Sequence, residues 1–185
     1  MLSYQNERIA LFIDGPNFYG AVKALQWEVN YNLLQEYFSK QGQLLRCYYY
    51  TAVAENQESN SLKRLLDFLT YNGITVVSKA AKEVTDYSTG TVTLKGNMDV
   101  EITIGMLKLA PHLDHLILCS GDGDFRALVE ELQGMGKRVT VVSTLKAVGN
   151  ITADELRRQA DNFIELDDLR ADIARDPALR VSTVA

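Results

Sequence analysis

The sequence predicts an α/β protein: a central, mostly parallel sheet with helices on both faces. Three observations carry that reading. Short apolar runs that read as strands alternate with segments of helical spacing along the 185 residues. Two of those runs, Arg8–Ile13 and Leu116–Cys119, are apolar nearly throughout, the mark of a strand covered on both sides. Both end in acidic turns, at Asp14 and at Asp122/Asp124, and ligands of parallel sheets bind beyond the carboxyl ends of the strands.

Taken in order, Arg8–Ile13 is the first strand and stops at Asp14-Gly15-Pro16-Asn17. Gly15 and Pro16 break it, and Pro16 opens a helix over Asn17–Leu25. Asn32 is expected to cap a second helix carrying Leu33, Leu34, Tyr37 and Phe38. Leu44–Val53 is β-branched and aromatic, so it reads as a strand, with Tyr48, Tyr49 and Tyr50 packing on alternating faces. Leu62, Leu65, Leu66 and Leu69 recur at helical spacing up to a C-cap glycine, Gly73, and Ile74–Ser78 follows as a third strand. Residues 79–96 alternate and contain the turn signal Ser88-Thr89-Gly90, which predicts a β-hairpin or flap. Asn97–Ala110 reads as a helix stopped by Pro111. After the central strand come an amphipathic helix with Phe125, Leu128, Val129 and Leu132 on one face, a strand over Lys137–Ser143, a helix over Ile151–Ala160 capped by Thr152, and a short strand at Asn162–Leu166. One domain is expected over 1–166, followed by a charged C-terminal tail, 167–185.

Composition narrows the function classes. Hydrophobic content of 46% and charged content of 23% are those of an ordinary globular domain. No apolar run approaches the roughly 20 residues of a membrane span, and the polar N-terminus has no signal-peptide core. Cys47 and Cys119 lie in apolar strand-like runs and read as buried free thiols, so the expected location is the cytoplasm. His112 and His115 have no cysteine neighbour that would make a zinc site. A net charge of −5 disfavours nucleic-acid binding over the whole surface and leaves a local basic patch open.

The acids carry the chemistry. A single aspartate would cap the helix after the central strand, and Asp122 and Asp124, separated by a glycine, exceed that need. Asp99 lies in the first turn of the helix that follows residues 79–96. Glu101 is about 200° further round that helix, so the two cannot both face one site, and Asp99 is nearer the turn. Carboxylates crowded together repel unless a cation is present. Hard oxygen donors without Cys or His suit Mg²⁺ or Mn²⁺. Asn17 and Ser120 stand beside the acids with groups able to orient water or phosphate. Lys79, Lys82 and Lys95, on the segment leading into Asp99, are candidate contacts to a phosphate backbone, although a solvated surface hairpin explains them equally well. There is no G-x-x-x-x-G-K-[ST], no G-x-G-x-x-G after the first strand and no G-x-S-x-G, which excludes a P-loop and leaves neither a dinucleotide fold nor a nucleophile elbow.

Three pieces, Ile13-Asp14-Gly15-Pro16-Asn17, Lys95-Gly96-Asn97-Met98-Asp99-Val100 and Ser120-Gly121-Asp122-Gly123-Asp124-Phe125, resemble the motifs of the NYN domain, in its LabA-like bacterial branch. The resemblance runs from about Arg8 to Leu166. It implies a PIN-like, three-layer α/β/α sandwich with a metal-dependent ribonuclease site. By that resemblance Asp14, Asp99, Asp122 and Asp124 bind the metal, with Asn17 and Ser120 as further site residues. The expected activity is hydrolysis of single-stranded RNA with Mg²⁺ or Mn²⁺, with a homodimer left open. The competing expectation is a non-catalytic regulator that binds RNA or protein on the same fold. A Toprim-like phosphoryl-transfer domain also places Asp-x-Asp after a strand, but its first strand ends in glutamate where this chain has Asp14.

Overall fold

A computed structural model describes residues 6–54, 60–86, 91–149 and 151–176; for residues 54, 60, 82–86 and 91–95 it describes the backbone alone. In chain order the elements are β1 (Arg8–Asp14), α1 (Gly15–Ala24), α2 (Tyr31–Ser39), β2 (Gln43–Ala54), α3 (Asn60–Tyr71), β3 (Thr75–Asp86), β4 (Thr91–Lys95), α4 (Asp99–Leu109), β5 (His115–Cys119), α5 (Arg126–Gly134), β6 (Arg138–Ser143), α6 (Asp154–Gln159), β7 (Asn162–Glu165) and α7 (Arg170–Ile173). The strand order is β4-β3-β2-β1-β5-β6-β7. Only β4 runs antiparallel to its neighbour β3; every other pair is parallel.

The two sheet faces bury separate cores, which makes the three layers. Ile9, Leu11 and Ile13 of β1 pack with Phe18, Val22, Leu34, Phe38 and Ile173 on the side of α1, α2 and α7. Ala10 and Phe12 point the other way, against Ile102, Met106, Val129, Leu132 and Leu156 of α4, α5 and α6. Period-two alternation with both faces apolar is why β1 reads as a continuous hydrophobic run. Tyr49 joins the first core, and Tyr48 and Tyr50 belong to the second, as the alternation of three consecutive tyrosines requires. Cys47 and Cys119 are buried free thiols.

The chain leaves β1 on the β2 side and returns on the other side with β5. The order therefore reverses between β1 and β5, and a crevice opens at their carboxyl ends.

Several local expectations are corrected. The third strand does not stop at Ser78: β3 continues to Asp86, and Lys82–Asp86 pairs antiparallel with β4 as the expected hairpin would; the turn Ser88-Thr89-Gly90 lies outside the described residues. The cap of α2 is Asn30, whose Oδ1 accepts the N–H groups of Asn32 at 3.0 Å and Leu33 at 3.3 Å. Asn32 instead donates its side-chain amide to Asn72 Oδ1 at 3.0 Å, which ties α2 to the end of α3. Thr152 does not cap α6, which begins at Asp154. Its buried hydroxyl donates to the Thr144 carbonyl and meets the Ser143 hydroxyl, both at 2.8 Å, so it fastens the loop to the end of β6. Beyond β7, Leu166, Leu169 and Ile173 are buried in the first core, and Asn30 donates its N–H to the Ile173 carbonyl at 2.8 Å. No helix among the described residues is long and apolar enough to cross a membrane.

Candidate active site

Asp14 is both the last residue of β1 and the N-cap of α1. Gly15 and Pro16 make the turn abrupt, because proline at the start of a helix gives up an N–H that would have no partner there. Asp14 is 7% exposed. Ser120 donates its hydroxyl to Oδ2 at 2.9 Å, and the Asn17 N–H makes a long contact of 3.5 Å to Oδ1. Burial pushes its carboxyl up to about 6, the bonds from Ser120 and Asn17 oppose that, and the charges of Asp99 and Asp122 add to it.

The second wall is the loop after β5. Ser120 is 1% exposed, and its oxygen also accepts the Asp122 N–H at 3.2 Å. Its hydroxyl is thus committed to holding Asp14 and the loop, not turned toward the crevice. Gly121 must be glycine: a Cβ there would lie 2.1 Å from the Ile151 carbonyl oxygen and 2.6 Å from Ser143 Oγ. The Gly121 N–H donates to Asn17 Oδ1 at 2.9 Å, so Asn17 joins the two walls. Asp122 caps a 3-10 turn over Gly123–Phe125 by accepting the Asp124 N–H at 3.0 Å. Capping accounts for Asp14 and Asp122. It does not account for Asp124, whose carboxylate accepts no hydrogen bond among the described residues.

Asp99 arrives from the far side of the sheet, as the first residue of α4. Asn97 clasps it: Asn97 Oδ1 accepts the Asp99 N–H at 2.8 Å, and the Asn97 amide donates to Asp99 Oδ2 at 2.5 Å. Burial raises the Asp99 carboxyl above the usual range, Asn97 opposes this, and the charges of Asp122 and Asp124 raise it further. One carboxylate oxygen each from Asp99, Asp122 and Asp124 lie within 4.8 Å of one another. Asp14 stands outside that trio, close enough to feel the charges of Asp99 and Asp122. Three all-oxygen donors of like charge, one of them otherwise unengaged, fit a hard divalent cation and would not suit a soft one.

Glu101 points elsewhere. Its Oε2 accepts from Lys79 Nζ at 2.8 Å, and this partner draws the Glu101 carboxyl below its ordinary value. Lys79 is therefore engaged with an acid on α4. The backbones of Lys82 and Lys95 pair across the hairpin, and their side chains lie outside what the structure describes.

Two side chains were not singled out from the sequence. Asn97 is one. Glu155 is the other: a Cβ on Gly123 would fall 2.8 Å from its Oε1, and with Asn17, Asp122 and Asp154 it lines a groove of about 620 Å³ beside the acids. Asn97 sits two residues before Asp99, the spacing of an Asx-type turn, which was a readable signal. Nothing local marks Glu155, because α6 meets the crevice only through tertiary packing.

Residues 8–167 match the NYN domain family. The chain is 33% identical over 177 residues to the Low amplitude and bright protein LabA of Synechococcus elongatus, covering 94% of this chain and 91% of that protein. It superposes on the crystal structure of a protein of unknown function from Vibrio parahaemolyticus with a TM-score of 0.75 at 29% identity, covering 95% of this chain and all (100%) of the other. The chain belongs to the NYN domain family, which is related to the PIN-like nucleases.

Proposed function

We propose that the protein is a metal-dependent ribonuclease that hydrolyses single-stranded RNA. The observation that carries this is the meeting of Asp99, Asp122 and Asp124 at the topological switch point, with no basic side chain of the protein bonded to any of the three among the described residues. In this reading those three hold Mg²⁺ or Mn²⁺, and Asp14, locked through Ser120, fixes the loop that bears two of them. The chemistry a divalent ion supplies in such a site is activation of water and neutralisation of phosphoryl charge. The Ser120 hydroxyl is spent on Asp14, so it is not a nucleophile, and the reading is direct hydrolysis by water. The Asn17 oxygen is engaged by Gly121, which leaves its amide N–H₂ group to orient a phosphate. Lys82 and Lys95 on the hairpin are the proposed contacts to flanking phosphates.

The test is cleavage of a labelled single-stranded oligoribonucleotide with Mn²⁺ or Mg²⁺. Cleavage should be abolished by EDTA and lost in Asp122→Asn purified by the same route. If Asp122→Asn cleaves as fast as the parent, the activity is a contaminant and the binding regulator replaces the nuclease.

A further inference from the structure

On the α1 side of the molecule, away from the acidic trio, lies a cavity of about 640 Å³. That is the size of small-molecule sites. Its lining includes Tyr19, Lys23 and Trp27 from α1 and the turn after it, Leu65 of α3, and Arg170 and Arg175 from the C-terminal segment. Four features set it apart from a packing gap.

First, the indole N–H of Trp27 is buried and has no acceptor among the described residues. Buried donors are nearly always satisfied, so each exception calls for an explanation. Second, the lining carries three cations, Lys23, Arg170 and Arg175, against one acid, Glu28, in a chain whose net charge is −5. Glu28 lies 3.8 Å from Arg175. Lys23 and Arg170 have no acidic partner among the described residues. Third, Tyr19, an aromatic residue at the rim, is 58% exposed. Fourth, Gln26, also on the lining, holds a left-handed φ of 61°, a conformation that costs energy for a non-glycine residue.

An aromatic platform at the rim, an indole in the lining, and cations without an acidic partner among the described residues match one chemical class: a flat heterocycle carrying a phosphate. We infer that this cavity binds a nucleotide unit, either a free nucleotide or one residue of an RNA strand. The cavity has a neighbour on the side of α1 that leads toward Asp14. A second cavity of about 370 Å³, lined by Gly15, Pro16, Tyr19 and Leu65, shares Tyr19 and Leu65 with the first and reaches the residues next to Asp14. Pro16, Tyr19 and Lys23 are exposed and lie along one stripe of α1, about 10 Å long at 1.5 Å per residue.

Trp27 is the single tryptophan of the chain, so its emission reports this cavity alone. The experiment titrates the full chain in EDTA with AMP, with a single-stranded oligouridylate and with inorganic phosphate, for the parent and for Asp122→Asn. AMP or the oligonucleotide should change the Trp27 emission saturably, equally in both proteins, and phosphate alone should not. Tyr19→Ala and Lys23→Glu, both at exposed positions, should each weaken the response by about tenfold or more, as loss of one stacking or charge-assisted contact does, and Tyr19→Phe should retain it. A tighter response to the oligonucleotide assigns the cavity to an RNA strand, and an equal or weaker one assigns it to a free nucleotide. Absence of a saturable response to either ligand, or a response unchanged in both Tyr19→Ala and Lys23→Glu, overturns the inference. Metal and cleavage are excluded throughout, so a failed nuclease assay leaves this result standing, and the reverse also holds.

Discussion

Ser120 Oγ lies 2.9 Å from Asp14 Oδ2 and donates to it across the boundary between β5 and β1. The same oxygen receives the N–H of Asp122. One hydroxyl thus sets the spacing of both strand ends. Ser120→Ala should leave the Asp14 carboxylate buried and short of a donor, at a cost of about 1–2 kcal/mol in urea unfolding. It should also weaken Mn²⁺ binding by about tenfold, the usual effect of removing a group that orients ligands. Ser120→Thr should restore the metal affinity. A Ser120→Ala protein that loses stability but binds Mn²⁺ like the parent would reduce Ser120 to a structural role.

Among the described residues the Asp124 carboxylate receives no hydrogen bond, and it sits among like charges, so its removal relieves repulsion. Asp124→Asn should be no less stable than the parent without metal. Mn²⁺ at about a hundred times its Kd should stabilise the parent by about 2.7 kcal/mol and the variant by far less. Thermal melts with and without Mn²⁺ measure both; equal shifts in the two proteins count against a shared site.

Gly105 packs against the buried ring of Tyr50, and a Cβ at that position would come within 2.2 Å of the Tyr50 hydroxyl oxygen. Gly105→Ala should therefore cost about 1–3 kcal/mol as overpacking. In a Tyr50→Phe background the nearest atom becomes the ring carbon at 3.3 Å, and most of that cost should vanish. A double-mutant cycle in urea reads the coupling directly.

His115 is 1% exposed at the start of β5, with one ring nitrogen 2.7 Å from Thr140 Oγ1. Burial, helped by the nearby Arg138 charge, pulls its pKa down to about 4. The ring is neutral at pH 7, so the approach of Glu7 Oε2 at 3.6 Å is not an ion pair there. A base with a depressed pKa binds its proton in the unfolded state first. Stability should thus be full above about 6.5, fall as pH drops from there, and have lost this contribution below about 4. His115→Gln should flatten that part of the stability profile, measured by urea midpoints across the range.

Lys79 is occupied by Glu101, with both side chains partly exposed, so the pair itself should be worth no more than about 1 kcal/mol. Its consequence is for RNA. Lys79→Ala should change the salt dependence of oligonucleotide binding little, whereas Glu101→Gln should release Lys79 and steepen it by up to one phosphate contact. Binding titrations at several salt concentrations separate the two.

The strands and the acid-bearing turns were legible because their signals are local. An apolar run of strand length, a glycine or proline, and an aspartate at the turn are read within ten residues. Helical angle separates Asp99 from Glu101, nearness to the turn selects Asp99, and the structure turns Glu101 to Lys79. What stayed hidden depends on partners distant in sequence. Asn30 and Asn32 both flank Tyr31 with capping chemistry, and Asn72 at the end of α3 takes up the side chain of Asn32. Thr152 has a capping residue's composition but lies against the end of β6. The Lys79–Glu101 pair spans the hairpin. The Trp27 cavity joins α1 to α7, from opposite ends of the sequence, and no window along the chain contains both.

The two cores meet only across a single layer of strands, and the crevice lies where that layer ends. Asp14 is carried by a strand whose Ile13 belongs to one core and whose Phe12 belongs to the other, while Asp99 and the Asp122 loop lead into helices of the second core alone. The acidic cleft is therefore a seam between two independently packed halves. A void opened beneath α1 or α2 would tilt one lip of the cleft and leave the other in place. Damage buried far from the acids on that side would then show itself as a change in the gap between carboxylates before it showed itself as unfolding.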